Sequence, residues 1–282
     1  PNVLIQEKDK AFIFGGKEVA FTSEKEPAQL PWKKMGVDLV IESTGFFTDR
    51  EGASKHLEAG AKRVVISAPA KNVDKTICMG VNEEQFDPEK DIIVSNASCT
   101  TNCLSPVAKV LDDNFGIDSG LLTTIHAYTS SQKIVDAPSK KWRRGRAAAI
   151  SLVPTTTGAA IATTIVLPQL EGKMDGMAIR VPIPVGSIID FVVHTEEPVS
   201  LESVKKAFKE AANSEKMKGI LGVSDEELVS ADIVGSEYSS LVDLESTMVV
   251  GEHTVKVLAW YDNEWGYALR CVDLAAYIAK SL

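Results

Sequence analysis

Residues 91–103 read DIIVSNASCTTNC, an apolar β-branched run followed at once by a hydroxyl-rich segment around a cysteine. The run at residues 92–94 is typical of a buried strand, and Ser98 is a favoured N-cap residue. Cys99 is therefore predicted at the N-terminus of a helix, where free backbone N–H groups and the helix dipole favour an anion. Such a setting can lower a thiol pKa from about 8.5 towards neutrality, which makes Cys99 a candidate nucleophile. Pro106, inside the same helix, predicts a bend or an irregular start.

A second segment supplies a base for this thiol. A turn-like stretch at residues 115–120 precedes an alternating strand at residues 121–129, which ends in His126 and hydroxyl side chains. Nucleophilic cysteines are usually paired with a histidine that is distant in sequence and close in space. The alternative for Cys99 is a small buried hydrophobe. The strand that carries His126 favours the catalytic interpretation.

Two patterns of alternation divide the chain. Between residues 37 and 98, short β-branched runs alternate with helical stretches, which is typical of a parallel, doubly wound sheet. From about Gly120 the strands lengthen and alternate, as at residues 187–194 and 254–260, which predicts a mixed, largely antiparallel sheet with helices packed on it. We therefore predict an α/β protein with an incomplete doubly wound, Rossmann-type domain and a second domain of the α+β class.

Composition excludes several classes of protein. The 282 residues are 44% hydrophobic, enough for a sizeable core, and their net charge of -9 argues against a nucleic-acid partner. No apolar run approaches the ~20 residues of a membrane helix, so no membrane is expected. Four cysteines make no disulfide framework, and Cys103, one turn after Cys99, has no companion pair that would complete a metal site. A needed thiol fits a reducing compartment, and the cytoplasm is predicted.

Four segments carry a family resemblance, in this order along the chain: SCTTNC at 98–103, HAYT at 126–129, PTTTGAA at 154–160 and WYDNEWGY at 260–267. Together they resemble the phosphorylating glyceraldehyde-3-phosphate dehydrogenases, and the likeness extends over essentially the whole chain. The resemblance implies a cytoplasmic, homotetrameric, NAD-dependent enzyme of glycolysis and gluconeogenesis. It implies oxidation of glyceraldehyde 3-phosphate with inorganic phosphate to 1,3-bisphosphoglycerate, through a cysteine thiohemiacetal and a thioester.

The resemblance also implies a role for each matching residue. Cys99 would be the nucleophile, and His126 would be its base. Thr129 and Arg180 would hold the phosphate of the substrate, and Arg144 would lie between the two anion sites. The attacking phosphate would be held by hydroxyl and backbone groups of a second set: Ser98, Thr100, Thr157 and Gly158. The cofactor would be held at strand ends and by the last strand and helix: Thr44, Gly45, Ser67, Ala68, Asn263 and Tyr267.

The domain boundaries follow from the same resemblance. A dinucleotide-binding domain would comprise residues 1–98 and 264–282, because the last helix returns to it, and residues 99–263 would form the catalytic domain. The family would also be expected to open with a strand, a Gly-x-Gly-x-x-Gly turn and a helix. That portion is lacking from this sequence, which reads instead as an edge hairpin of residues 3–5 and 11–14. Removal, an incomplete sequence and a natural short relative are three explanations that stay open.

Two other functions stay open as alternatives. Erythrose-4-phosphate dehydrogenase shares the SCTTNC segment and the final motif, but residues 127–132 and 155–158 look like the glyceraldehyde enzyme. A truncated, non-catalytic relative with a structural or regulatory role would lack the helix N-terminus that binds pyrophosphate. The hydroxyls at 155–157 also have a plainer interpretation, as a cap for the helix that follows.

The loop at residues 130–146 bears on the cofactor and on assembly. Its Ala137-Pro138 pair departs from the Leu-Pro typical of strict NAD enzymes, so NADP is an alternative cofactor. In the resembling family this loop reaches a neighbouring subunit. Trp142, Arg143 and Arg146 are therefore candidates for that interface, with a solvated basic loop as the alternative. His56, His194 and His253 are expected to be surface or packing residues.

Overall fold

The computed structural model describes residues 5–8 and 11–282, so Val3 and Leu4 of the predicted hairpin lie outside the described residues. The first three strands form an antiparallel sheet: β1 (Ile5–Lys8), β2 (Ala11–Phe14) and β3 (Lys17–Ala20). Gly15 and Gly16 make the turn between β2 and β3, with φ of 55° and 78°. Glycine adopts this left-handed backbone without a steric cost.

A four-stranded parallel sheet follows, as the alternation of strands and helices predicts. Its members are β4 (Leu39–Glu42), β5 (Arg63–Ile66), β6 (Lys75–Thr76) and β7 (Ile93–Ser95), in the spatial order β4-β5-β7-β6. Helices α1 (Trp32–Met35) and α2 (Arg50–Glu58) flank β4 in the chain. The Asp49 carboxylate caps α2 by accepting the Gly52 N–H at 2.8 Å, which satisfies one of the free donors at the helix start.

Both faces of the parallel sheet are covered. On one face, Val64 and Ile66 pack with Ala53 of α2. On the other, Val65 of β5 packs with Leu274 and Ile278 of the last helix, α6 (Trp265–Ala279). Burial on both faces explains why β5 is an uninterrupted run of buried residues. The packing of α6 on this sheet supports the proposed discontinuous first domain, whose boundaries stay a prediction.

The second sheet has seven strands in the spatial order β12-β13-β14-β11-β8-β10-β9. They are β8 (Ile117–Ala127), β9 (Val153–Thr156), β10 (Met174–Val181), β11 (Ser187–Thr195), β12 (Leu221–Ser224), β13 (Ser240–Val250) and β14 (Thr254–Tyr261). Only β8 with β10 and β12 with β13 pair in parallel. The sheet is thus mixed and largely antiparallel, as predicted. The predicted turn at residues 115–120 is wrong from Ile117 onward. Gly116, with φ of 65°, ends the helix, and β8 begins at the next residue.

Helices cover one face of the seven-stranded sheet. They are α3 (Cys99–Phe115), α4 (Ala159–Val166) and α5 (Leu201–Asn213), and the chain ends with α6 (Trp265–Ala279). Pro106 lies inside α3 without interrupting it. Short 3-10 helices occur at Pro27–Gln29, Glu83–Gln85, Trp142–Gly145, Pro168–Leu170 and Ser230–Ile233. Leu104 and Leu111 of α3 pack with Phe191 and Phe208 in the main core.

The opposite face of this sheet presents apolar side chains to solvent. The most exposed of them are Leu121, Met177, Val192, Met248 and Val250. Such a patch on a regular sheet indicates a contact surface. Among the helices of the described residues, none has the length and apolar character needed to cross a bilayer.

We predict that Leu274→Ala weakens the parallel sheet. Leu274 is fully buried against Val65 and Ile77, and its truncation leaves a cavity that costs about 2–5 kcal/mol of unfolding free energy. Val272→Ala on the same helix is the control, because Val272 is 56% exposed and its truncation should cost about 0.5 kcal/mol or less. Urea denaturation followed by circular dichroism measures both. Equal losses would contradict the docking of α6 on this sheet.

Candidate active site

The turn between β7 and α3 places the candidate nucleophile. Ala97 has a left-handed backbone, with φ of 55°, which costs about 1–2 kcal/mol for a residue with a Cβ. Several hydrogen bonds hold it. The Ser95 hydroxyl accepts the Ala97 N–H at 3.0 Å, and the Tyr267 hydroxyl donates to the Ala97 carbonyl at 2.8 Å. The Asn102 side chain donates to the Asn96 carbonyl at 2.8 Å.

Ser98 caps the helix that this turn begins. Its hydroxyl accepts the Thr101 N–H at 3.0 Å, and its carbonyl accepts the Asn102 N–H at 2.9 Å. Cys99 is therefore the first residue of α3, as the sequence predicts. The Thr100 backbone N–H is directed at the Cys99 sulfur and favours its ionised form. The helix start thus supports a thiolate, although the Ser98 hydroxyl is itself engaged in the cap.

The structure brings the predicted nucleophile and base together. Cys99 Sγ lies 3.4 Å from His126 Nε2. His126 Nδ1 lies 2.7 Å from the Ala127 carbonyl oxygen, which can only accept, and 3.0 Å from Arg180 Nη1, which can only donate. We assign the hydrogen to Nδ1, because the contact with the carbonyl is the shorter one and Arg180 Nη1 donates to that same carbonyl. The lone pair on Nε2 therefore faces the thiol and can take its proton.

Burial opposes a charge on either member of this pair. Burial raises the pKa of the Cys99 thiol to about 11, against the opposing effects of the Thr100 N–H and the Arg180 charge. Burial, with Arg180 adding to it, lowers the pKa of His126 to about 4. The expectation of a lowered thiol pKa is thus wrong for Cys99 taken alone, because the helix dipole does not outweigh desolvation. Transfer of the proton from Sγ to Nε2 instead creates two opposite charges that stabilise each other at 3.4 Å.

Two arginines lie beside this pair. Arg180 Nη1 donates to the Ala127 carbonyl at 2.9 Å and to the Thr129 hydroxyl at 3.3 Å. Arg144 donates to the Thr155 hydroxyl at 3.0 Å and to the backbone carbonyl of residue 156 at 3.1 Å. Burial lowers the pKa of Arg180, and repulsion from Arg144 adds to that effect.

These arginines have the chemistry of an anion site. Within the described part of the chain, neither guanidinium is paired with a carboxylate, and Arg180 Nε is buried without any partner. Two uncompensated cations close together favour a bound anion, and the planar guanidinium fits phosphate oxygens. Thr129, Arg144 and Arg180, which the resemblance assigned to phosphate, thus share one side of His126.

Thr100 is placed differently from the other predicted phosphate ligands. Its side chain is 4% exposed, and its hydroxyl hydrogen-bonds with the Tyr261 hydroxyl at 2.9 Å. Tyr261 also hydrogen-bonds with Thr124 at 2.9 Å and packs edge-on against His126. The Thr100 hydroxyl is therefore an internal group, so only its backbone remains for a ligand.

Thr157 and Gly158 lie at the start of α4. The Thr157 hydroxyl accepts the Ala159 N–H at 3.2 Å, and Gly158 is the exposed N-cap residue. The plainer cap interpretation therefore describes Thr157, although its exposed neighbour still offers a free backbone donor. The preceding strand, β9, pairs with β10, which carries Arg180.

The predicted cofactor residues lie at one edge of the parallel sheet. Thr44 and Gly45 follow β4, and Ser67 and Ala68 follow β5, at the carboxyl ends where such sheets bind nucleotides. The Ala68 carbonyl accepts the Ser95 hydroxyl at 2.7 Å, which ties this edge to the turn before Cys99. Gly45 has φ of 74° and open space where a Cβ would stand.

The amide of Asn263 is fixed in one orientation. The Ser187 hydroxyl donates to Asn263 Oδ1 at 2.9 Å and accepts the Ala127 N–H at 3.0 Å. Asn263 Nδ2 has a longer contact of 3.4 Å with Glu264, so it retains donor capacity. A donor held in this way fits the carboxamide oxygen of a nicotinamide, so the residues present fit the cofactor that the resemblance implies.

Sequence reasoning missed three supporting residues. Tyr261 and Ser187 end a strand and begin one, and no local signal marks their hydroxyls as part of the site. His56, expected to be a surface or packing residue, is 4% exposed and also hydrogen-bonds with Glu42 at 2.7 Å. Among the described residues, no cluster of three or more metal-ligating side chains occurs.

The loop at residues 130–146 stays largely at the surface. Trp142 is 91% exposed, Arg143 is exposed, and Arg146 pairs with Asp136 at 3.3 Å. This arrangement leaves the large indole free for a contact outside the chain.

Two family models match the chain. The glyceraldehyde 3-phosphate dehydrogenase C-terminal domain matches residues 98–263, and the corresponding NAD binding domain matches residues 2–50. The chain is 57% identical over 268 residues to the glyceraldehyde-3-phosphate dehydrogenase of Geobacillus stearothermophilus, covering 95% of this chain and 80% of the relative. It is 54% identical over 267 residues to that of Streptomyces coelicolor and 55% identical over 268 residues to glyceraldehyde-3-phosphate dehydrogenase 1 of Bacillus subtilis, with the same coverage.

We predict that His126→Asn slows alkylation of Cys99 by iodoacetamide at pH 7 by about 10²–10⁴-fold. Without the base, the thiol must release its proton to solvent against a pKa that burial raises to about 11. The rate in the variant should therefore keep rising as the pH is increased towards that value, while the parent reacts at neutral pH. His253→Asn, outside the site, is the control and should react like the parent. A variant as reactive as the parent would contradict the pairing.

Proposed function

The chain belongs to the glyceraldehyde-3-phosphate dehydrogenase family, and we propose that the cleft around Cys99 and His126 carries out its reaction. The protein is an NAD-dependent oxidoreductase of glycolysis. Its proposed reaction converts glyceraldehyde 3-phosphate and inorganic phosphate into 1,3-bisphosphoglycerate. The observation that carries this proposal is the 3.4 Å contact between Cys99 Sγ and His126 Nε2, beside two arginines without carboxylate partners.

The first step uses the proton transfer described above. His126 Nε2 takes the thiol proton, and Sγ attacks the aldehyde carbon to form a thiohemiacetal. The backbone N–H of Cys99 at the helix start, together with His126, stabilises the oxygen that becomes negative. His126 Nε2 then returns its proton to this oxygen, which completes the thiohemiacetal hydroxyl and leaves the base neutral. It can therefore accept that proton again when the hydride departs.

The second step turns the thiohemiacetal into a thioester. NAD, when bound, accepts the hydride that leaves the thiohemiacetal carbon. The Asn263 amide, held by Ser187, would orient the nicotinamide, and Tyr267 would support the turn beneath it by its bond to Ala97. Inorganic phosphate then attacks the thioester carbon, the carbon–sulfur bond breaks, and Cys99 leaves as the thiolate.

The reaction needs two anion sites, one for the phosphate of the substrate and one for the attacking phosphate. Arg180 and Thr129, joined at 3.3 Å, would hold the first. Arg144 would lie between the two sites. The second would use backbone donors and hydroxyls from two helix starts: Ser98, Thr100, Thr157 and Gly158. For Thr100 the ligand group would be the backbone N–H, because its hydroxyl is bonded to Tyr261.

The compartment follows from the chemistry of the nucleophile. All four cysteines are within the described residues and are free. Cys99 must stay reduced to act, which supports a reducing compartment and hence the cytoplasm. NAD is the cofactor, and NADP is the second dinucleotide to be assayed, because of Ala137 and Pro138.

We predict phosphate-dependent NADH formation at 340 nm from this 282-residue chain with glyceraldehyde 3-phosphate, phosphate and NAD. Cys99→Ser should abolish it, because a serine hydroxyl is not ionised by this histidine and forms no thioester. Cys103→Ser is the matched control, because Cys103 is fully buried and lies away from the His126 base, at 3.7 Å from Ser240.

Four outcomes separate the alternatives. Faster turnover with erythrose 4-phosphate would favour that substrate, and faster turnover with NADP would change the cofactor. A folded protein that binds NAD without turnover would contradict the catalytic proposal. A folded protein without either property would favour the non-catalytic alternative.

The assembly proposed for the protein is a homotetramer. The exposed apolar face of the seven-stranded sheet supports it, since a second copy could cover Leu121, Met177 and Val192 together. Trp142, at 91% exposure, offers a second contact on the loop. Arg143 and Arg146 flank it there.

We predict that Leu121→Glu lowers the molecular mass in solution measured by light scattering. Leu121 is 67% exposed in the single chain, so the charge is harmless to the fold but would be buried without a partner in the interface. Val229→Glu is the control, at 58% exposure outside this sheet. A tetramer that tolerates Leu121→Glu would place the interface elsewhere.

A further inference from the structure

A buried hydrogen-bonded relay lies in the first domain, away from Cys99. The Trp32 indole N–H donates to His56 Nδ1 at 3.1 Å, and His56 Nε2 lies 2.7 Å from Glu42 Oε2. Glu42 is 3% exposed and His56 is 4% exposed. The relay joins α1, α2 and β4.

The direction of each hydrogen bond is determined by the groups involved. An indole N–H can only donate, so His56 Nδ1 accepts and Nε2 carries the hydrogen. His56 therefore donates to Glu42. Burial alone would raise the pKa of Glu42, but the hydrogen bonds from His56 and Thr44 outweigh it, and the net shift of the pKa is downward. Glu42 is a buried carboxylate that accepts a hydrogen bond from His56.

The other oxygen of Glu42 holds the turn that follows β4. Glu42 Oε1 accepts the Thr44 N–H at 2.7 Å and also accepts the Thr44 hydroxyl. Thr44 Oγ1 in turn accepts the Phe46 N–H at 3.2 Å. These three hydrogen bonds of Thr44 close the turn around Gly45. Gly45 has a left-handed φ of 74° and is exposed.

We propose that Glu42 and His56 are positioning residues for the cofactor, holding the turn of Thr44 and Gly45 in the shape that binds it. The inference rests on the proposed function, which assigns this turn to NAD. A buried charge is weak support for stability, since an apolar pair often serves as well. Here one carboxylate oxygen is used entirely by the turn and the other by the histidine, so the charge organises a loop at the nucleotide edge of the sheet.

The substitution Glu42→Gln tests the relay. An amide has one acceptor and one donor end, so it cannot accept from His56 and from Thr44 at once. The dissociation constant for NAD, measured by isothermal titration calorimetry, should rise about tenfold, the equivalent of one charge-assisted hydrogen bond. The kcat at saturating NAD and the iodoacetamide rate of Cys99 should stay within about twofold of the parent.

Two further variants separate positioning from stability. Val64→Ala, a buried position in the neighbouring strand β5, lowers stability without touching the relay and should leave NAD affinity unchanged. In the double variant with Thr44→Val, the loss should be smaller than the sum of the losses in the two single variants, because both act through one turn. His56→Gln replaces Glu42→Gln in this cycle if the latter does not fold.

The outcomes distinguish this inference from the function on which it rests. If the parent binds NAD and Glu42→Gln binds it equally well, the relay is structural and the inference is overturned. The inference is also overturned if Val64→Ala weakens NAD binding as much as Glu42→Gln does. It is overturned as well if the losses of NAD affinity from Glu42→Gln and Thr44→Val are additive in the double variant. A parent that binds no NAD overturns the cofactor proposal itself, together with this inference.

Discussion

The left-handed backbone at Ala97 is the constraint on which the site depends. It turns the chain from the last buried strand of the parallel sheet directly into α3, so that Cys99 stands at a helix start. A residue with a Cβ adopts this conformation only when its surroundings impose it. Tyr267 imposes it from α6, through its bond to the Ala97 carbonyl, and Ser95 from β7. The last helix, α6, thus helps to position the nucleophile Cys99.

The charges around Cys99 are balanced against burial. Desolvation opposes a thiolate and an imidazolium taken singly, and Arg180 adds to the cost for His126. Transfer of one proton within the pair keeps the net charge of the site constant, and the attraction between the two charges offsets part of both penalties. The arginines then carry the positive charge that attracts anions. Reactivity therefore depends on Cys99 and His126, and anion binding depends on the neighbouring arginines.

Local sequence predicts those parts of the site that depend on neighbours in the chain. The β-branched run before Ser98 and the N-cap itself locate Cys99, and alternation locates His126 on β8. The thiol pKa was not predictable, because it depends on how elements distant in the sequence bury the sulfur. The partner of Thr100 is Tyr261, 161 positions later, and that of His56 in α2 is Glu42 at the end of β4. The early start of β8 at Ile117 was not predicted, because Gly116 alone makes the turn that was expected to span residues 115–120.

The backbone of Ala127 connects the base with the residue proposed for the nicotinamide. Its carbonyl accepts from His126 Nδ1 and so sets the tautomer that leaves Nε2 free. Its N–H, through the Ser187 hydroxyl, sets the orientation of the Asn263 amide. One residue of β8 thus aligns the group that removes a proton and the group that would orient the hydride acceptor. Because both bonds lie where β8 ends beside the start of β11, their relative position is as rigid as the sheet itself.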